Sequence, residues 1–91
     1  MPHKTLMIMA FLTLTGMPAP ALAQQTCDEL WYARNEIYKA QGYCFRTQRG
    51  IAAFGNAGCQ YDNAEELPLS NTQRRMIADI QREERARRCL R

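Results

Sequence analysis

The residues of this chain best equipped for chemistry are its four cysteines, Cys27, Cys44, Cys59 and Cys89. A cysteine sulfur can ligate a metal, attack as a thiolate or pair as a disulfide, and spacing separates these uses. The intervals hold 16, 14 and 29 residues with no C-x2-C knuckle, and the single histidine, His3, stands far ahead of them. A zinc site thus lacks its usual ligands, and neither a metal nor a cofactor is expected. An even count in an exported chain reads instead as two disulfides, which leaves no thiolate for nucleophilic work.

Other catalytic arrangements are equally poorly supplied. No histidine stands in the body of the chain to act as a base, and no serine-centred elbow occurs. Glu65-Glu66 and Glu83-Glu84 are neighbours in sequence, so their carboxylates point apart rather than across one substrate. A chain this short also has little room for a water-excluding pocket. No catalytic residue is assigned, and a small hydrolase or redox protein is the weakest reading.

Binding is better provided for. Plotted at helical spacing, Cys27, Leu30 and Ile37 form one stripe with Trp31 and Tyr38 at its edge, and Arg34 falls in the middle of it. A core arginine needs a partner, because an unpaired buried charge is costly. One reading ties its five donors to loop carbonyls and a carboxylate, with Asp62 or Glu65 as natural partners. The other is an anion site that grasps a carboxylate or phosphate bidentately. The adjacent Asn35 has the same two readings, backbone satisfaction or ligand contact. Trp31 and Tyr32 are neighbours on a helix and cannot face the same way, so at least one should reach the surface, where it could meet a sugar ring or a partner protein.

The last segment, NTQRRMIADIQREERARRCLR, is rich in arginine. Pairing Glu83 with Arg87, Glu84 with Arg88, and Asp79 with Arg75 or Arg82 gives a solvated helix face. Arg74, Arg85 and Arg91 remain over, too few for a nucleic-acid footprint. They could still touch an anionic polymer or lipid head group.

Such residues must be positioned by a small scaffold. Residues 1–23 have the order of a secretory signal peptide: a charged start with Lys4, the apolar run TLMIMAFLTL, and the small-x-small ending Ala21-Leu22-Ala23. The run is too short to span a bilayer, so no transmembrane segment is expected after cleavage. Residues 24–91 then form the working domain. Loss of Lys4 leaves eleven basic against nine acidic side chains, a net charge near +2. A chain of this size buries a limited core and needs cross-links.

Three helices are expected. Thr26-Cys-Asp-Glu29 is a capping box that opens the first, which runs to about Gln41; Gly42 stops it, with Tyr43 as the apolar partner of a Schellman ending. Thr47 caps a short second helix through Phe54, with Gly55 as its stop, Ile51 and Phe54 as contacts, and Ala52 and Ala53 allowing close approach. GNAGCQYDNAEELPL is a long loop. Ser70 and Gln73 form a second capping box, and Met76, Ile77 and Ile80 make the buried stripe of the last helix. If the first and last helices are antiparallel, Cys27 meets Cys89 and Cys44 meets Cys59, although four cysteines allow three pairings. Helical phase carries Cys89 away from the stripe, so the last helix must end or bend before it. The fold class is mainly α: a single disulfide-stapled domain of three helices, with a long loop between the second and third.

LWYARNEIYKAQGYCF resembles the motif of the YARHG domain, a short extracytoplasmic bacterial module. Arg34, Asn35, Ile37, Tyr38, Gly42, Tyr43 and Phe45 fall in register with it, and likeness extends through FGNAGC and the helix that starts at Leu69-Ser70. Lys39, Ala40 and Gln41 stand where the family has Ala, Arg and His, so no role of that Arg or His carries over. The resemblance implies secretion and a compact module, and no chemistry. The combined expectation is a periplasmic or secreted, non-enzymatic domain that binds another envelope protein or a cell-wall component, and no nucleic acid. The candidate binding surface is Trp31, Tyr32, Arg74, Arg85 and Arg91.

Overall fold

A computed structural model describes residues 21–90 of the chain. The expected leader lies outside the described residues up to position 20, and so does Arg91. Ala21–Gln24 form a single helical turn (α1) across the expected cleavage point. Three helices follow: α2 over Cys27–Ala40, α3 over Gln48–Phe54 and α4 over Asn71–Ala86. Among the described residues there is no strand pair beyond one isolated bridge, Tyr43 to Tyr61.

Each helix begins where a side chain satisfies the free amides of its first turn. The Thr26 hydroxyl accepts from the Glu29 amide at 3.1 Å and the Glu29 carboxylate accepts from the Thr26 amide at 2.9 Å, and Ser70 and Gln73 repeat the exchange at α4. Thr47 accepts from the Gly50 amide at α3. The end of α2 is a full Schellman motif: the Gly42 amide donates to the Lys39 carbonyl, the Tyr43 amide to the Tyr38 carbonyl, and the Tyr38 and Tyr43 rings pack 5.6 Å apart. Gly42 adopts φ +94°, where a side chain would be strained.

The end of α4 uses the same device without glycine. Arg88 takes φ +58°, its amide donates to the Arg85 carbonyl, and the Cys89 amide donates to the Glu84 carbonyl. This turn breaks the helical phase and brings Cys89 back to Cys27, with which it is bonded; Cys44 is bonded to Cys59. Both expected pairings hold. The Cys27–Cys89 bond joins the start of α2 to the end of α4, so the two long helices run antiparallel.

The core is Leu30, Phe45, Leu67, Ile77 and Ile80. Three expected contacts are corrected. Met76 is 47% exposed and Ile51 45% exposed, because Ile77, Ile80 and Glu84 take the inward arc of α4 and α3 is too short to bury two apolar faces. Ala52 and Ala53 are exposed as well, and the close approach is made by Gly50. A Cβ added there would stand 2.7 Å from Cδ1 of Phe45.

The long loop is more structured than its composition implied. Cys44 donates to the Tyr61 carbonyl and Tyr61 to the Gly42 carbonyl, which sets the Cys44–Cys59 bridge. The Asn56 side-chain amide imitates a β partner, accepting from the Phe45 amide at 2.6 Å and donating to its carbonyl at 2.9 Å. One 3-10 turn covers Ala64–Glu66. Pro68 disfavours helix at Leu67, which is extended (φ −66°, ψ 140°) and plugs the core.

Candidate binding site

Arg34 sits on the inward stripe of α2, and its partner comes from α4. Its Nε and one terminal nitrogen donate to the two carboxylate oxygens of Glu84 at 2.9 and 3.0 Å, with only 14% and 7% of the two side chains exposed. This corrects two expectations: Asp62 and Glu65 are exposed on the loop, and Glu84 turns inward rather than pairing with Arg88. The inward turn follows from phase, since Glu84 lies four and seven residues beyond Ile80 and Ile77 on one helix face. Burial alone would lower the Arg34 pKa, but the hydrogen bonds and charge of Glu84, with a smaller part from Tyr38, leave it above the ordinary arginine value. The stabilisation tied to that shift is full below the ordinary value and is lost only at still higher pH, so Arg34 is a permanent cation at neutrality.

Around this pair the aromatic rings form a continuous chain. Tyr43 packs edge-on to Phe45 at 5.0 Å, Phe45 stacks on Phe54 at 5.0 Å, and Phe54 meets Tyr32 at 4.8 Å and Trp31 at 6.0 Å. Trp31 and Tyr32 diverge as neighbours on a helix must. Tyr32 is 47% exposed, whereas Trp31 is half-buried beneath Arg49, whose guanidinium carbon lies 3.8 Å from the ring centroid. Arg49 is held there by Asp28 at 2.8 Å. Arg49 was not foreseen, because its partners are 18 and 21 positions away in sequence.

Between α2 and the segment leading into α3 runs a groove of 360 Å³ lined by Trp31, Arg34, Asn35, Tyr43, Phe45, Arg46 and Thr47. The structure therefore brings five family-motif or surface candidates together at one place, and adds Arg46 and Thr47. Asn35 is buried and donates to the Trp31 carbonyl at 2.9 Å. Tyr38 faces α4 instead, beside Ile77 and Ala78, and Ile37 is half-buried outside the groove. Arg74 lines a separate 240 Å³ hollow with Tyr38, Glu65 and Ile77. Arg85 is exposed on the same flank of α4, and neither Arg74 nor Arg85 reaches the Trp31 groove or forms an ion pair among the described residues. Two other expected pairs are present, Glu83 with Arg87 at 2.8 Å and Asp79 with Arg82.

Fold and face define a class: a small helical module, closed by disulfides, with a clamped arginine beside an aromatic surface. Residues 5–85 match the YARHG domain family, and the chain belongs to it. The family comprises small extracellular domains of a non-catalytic type. The two disulfides fit an oxidising environment. Neither a curated protein nor a solved structure matches the chain. Among the described residues no helix is long and apolar enough to cross a membrane, and no group of three or more His, Cys, Asp or Glu could hold a metal ion.

Proposed function

We propose that this protein is a secreted or periplasmic, non-enzymatic binding module of the bacterial cell envelope, and that it meets its partner through the face formed by α2 and α3. One observation carries this reading: the aromatic chain ends at the surface, where Tyr32 packs on Phe54 and is about half exposed, as is Ile51 on the same short helix as Phe54. Exposed aromatic side chains bring large contact area at low entropic cost, and nothing in the packing of the core requires Tyr32 outside. The disulfides and the Arg34–Glu84 pair make the face rigid in advance of binding, which spares the ordering cost of association.

The test is binding of the purified protein to solubilised envelope fractions. Wild type should be retained with little salt dependence, and Tyr32→Ala, which touches only the surface end of the ring chain, should fold and lose retention. Equal retention of a folded Tyr32→Ala protein would place the partner elsewhere. The exposed flank of α4 gives a second reading, in which Arg74 and Arg85, both without ion pairs among the described residues, touch an anionic polymer or lipid head group. Retention that collapses with rising salt and falls in an Arg74→Ala, Arg85→Ala double variant would favour it.

A further inference from the structure

The groove beside Trp31 has a lining that protein docking does not need. Six of its seven residues, all but Phe45, carry a side-chain nitrogen or hydroxyl group, and of these the Asn35 amide already donates to the Trp31 carbonyl. No carboxylate lines it, whereas two guanidinium groups do. Arg34 spends two of its five donors on Glu84. Arg46 is exposed at the rim and forms no ion pair among the described residues. The Thr47 oxygen already accepts from Gly50, which leaves its proton to donate outward. Aromatic rings, Trp31 and Tyr43 with Phe45, supply the apolar part of the lining.

We infer that this groove is a subsite for an acidic saccharide, a pyranose bearing a carboxylate. The inference rests on the reading of the chain as a binding module and names the ligand chemistry of part of its face. A sugar ring presents C–H faces that pack on aromatic rings and an equatorial belt of hydroxyls that suits the Thr47 hydroxyl and spare guanidinium donors. Its carboxylate finds in Arg46 a fork of matching geometry. The volume, 360 Å³, lies in the range of small-ligand clefts. A hydrophobic peptide side chain would leave these donors unpaired and is better served by the Tyr32 surface.

Trp31 is the only tryptophan in the chain, so its emission reports its own surroundings, which include this groove, Arg49 and Phe54. The experiment titrates the intact oxidised protein with a galacturonic acid oligomer, with maltotriose as the uncharged ring, and with a glutamate oligomer as the carboxylate without a ring. The acidic sugar is expected to give a saturable change in Trp31 emission, and the two controls to bind about tenfold more weakly or not at all. Arg46→Gln should weaken the acidic sugar about tenfold with an unaltered far-ultraviolet spectrum, and Arg46→Glu should abolish the response. A silent Trp31, an equal response to either control, or an unaffected Arg46→Gln protein overturns the assignment. Tyr32-dependent retention on envelope fractions alongside a silent Trp31 overturns the groove alone, and loss of both overturns the module as well.

Discussion

Arg34 and Glu84 form a buried, bidentate pair, and such pairs are asymmetric in their energetics. Removing one partner strands the other charge in a desolvated site at about 3–5 kcal/mol, whereas replacing both by apolar groups of similar size can be neutral. Arg34→Met alone should therefore lower the urea midpoint sharply or prevent accumulation of the protein, and Arg34→Met with Glu84→Leu should recover most of the loss. If the single variant folds with wild-type stability, Arg34 is not framework. Gly50 poses a similar contest of magnitudes. Alanine would gain about 1 kcal/mol of helix propensity, but its Cβ would stand 2.7 Å from Phe45 Cδ1. Phe45 is pinned by Asn56 and stacked on Phe54, so overpacking at about 1–3 kcal/mol should win. Gly50→Ala is expected to melt earlier, with an altered near-ultraviolet spectrum. That Arg34 needed a carboxylate was legible from its place in an apolar stripe. Which carboxylate was not, because the choice depends on how α4 is rotated against α2, 50 positions away. Asn56 escaped for the same reason: an asparagine in a glycine-rich loop reads as a turn, and only the approach of Phe45 makes it a strand mimic.

Helix boundaries were the most legible elements, since they are set by neighbours in sequence. Thr26 with Glu29, Ser70 with Gln73, Thr47, and Gly42 followed by Tyr43 all act on partners no more than five residues away. The inward face of α4 was legible only in part. Met76 and Ile77 are adjacent, both suit a core, and the sequence offers no rule for choosing when the true stripe ends on a glutamate. Leu67 was hidden by its setting among Glu65, Glu66 and Pro68, although a leucine held extended before proline is well placed to drop into a core. At the end of α4, Arg88 occupies the position most helices give to glycine. Its left-handed backbone costs about 1–2 kcal/mol, and glycine would return part of that to a looser unfolded chain, about 0.4–1 kcal/mol. Arg88→Gly should thus stabilise slightly, raising the melting temperature by a few degrees at most. A fall would show that the exposed Arg88 side chain contributes more than its backbone costs.

For the molecule as a whole, the two cross-links divide the work. The shorter ring, 15 residues in separation, is worth about 3 kcal/mol and the longer, 62 residues, about 4 kcal/mol in the chain-entropy account. Cys44→Ser with Cys59→Ser should loosen the loop and the groove wall at Tyr43–Thr47 while α2 and α4 stay clamped by Arg34–Glu84, so helix content should outlast groove binding. Simultaneous loss of both would mean that the groove has no independent stability. The longer bond has a mechanical consequence. Cys27 and Cys89 are the first residue of α2 and nearly the last described residue, and a single covalent link shorts them together. Tension applied on either side of the Cys27–Cys89 bond runs through sulfur and bypasses the three helices. Stretched between two anchors, the domain would behave as an inextensible knot, keeping its face intact under loads that unravel uncrosslinked helical bundles.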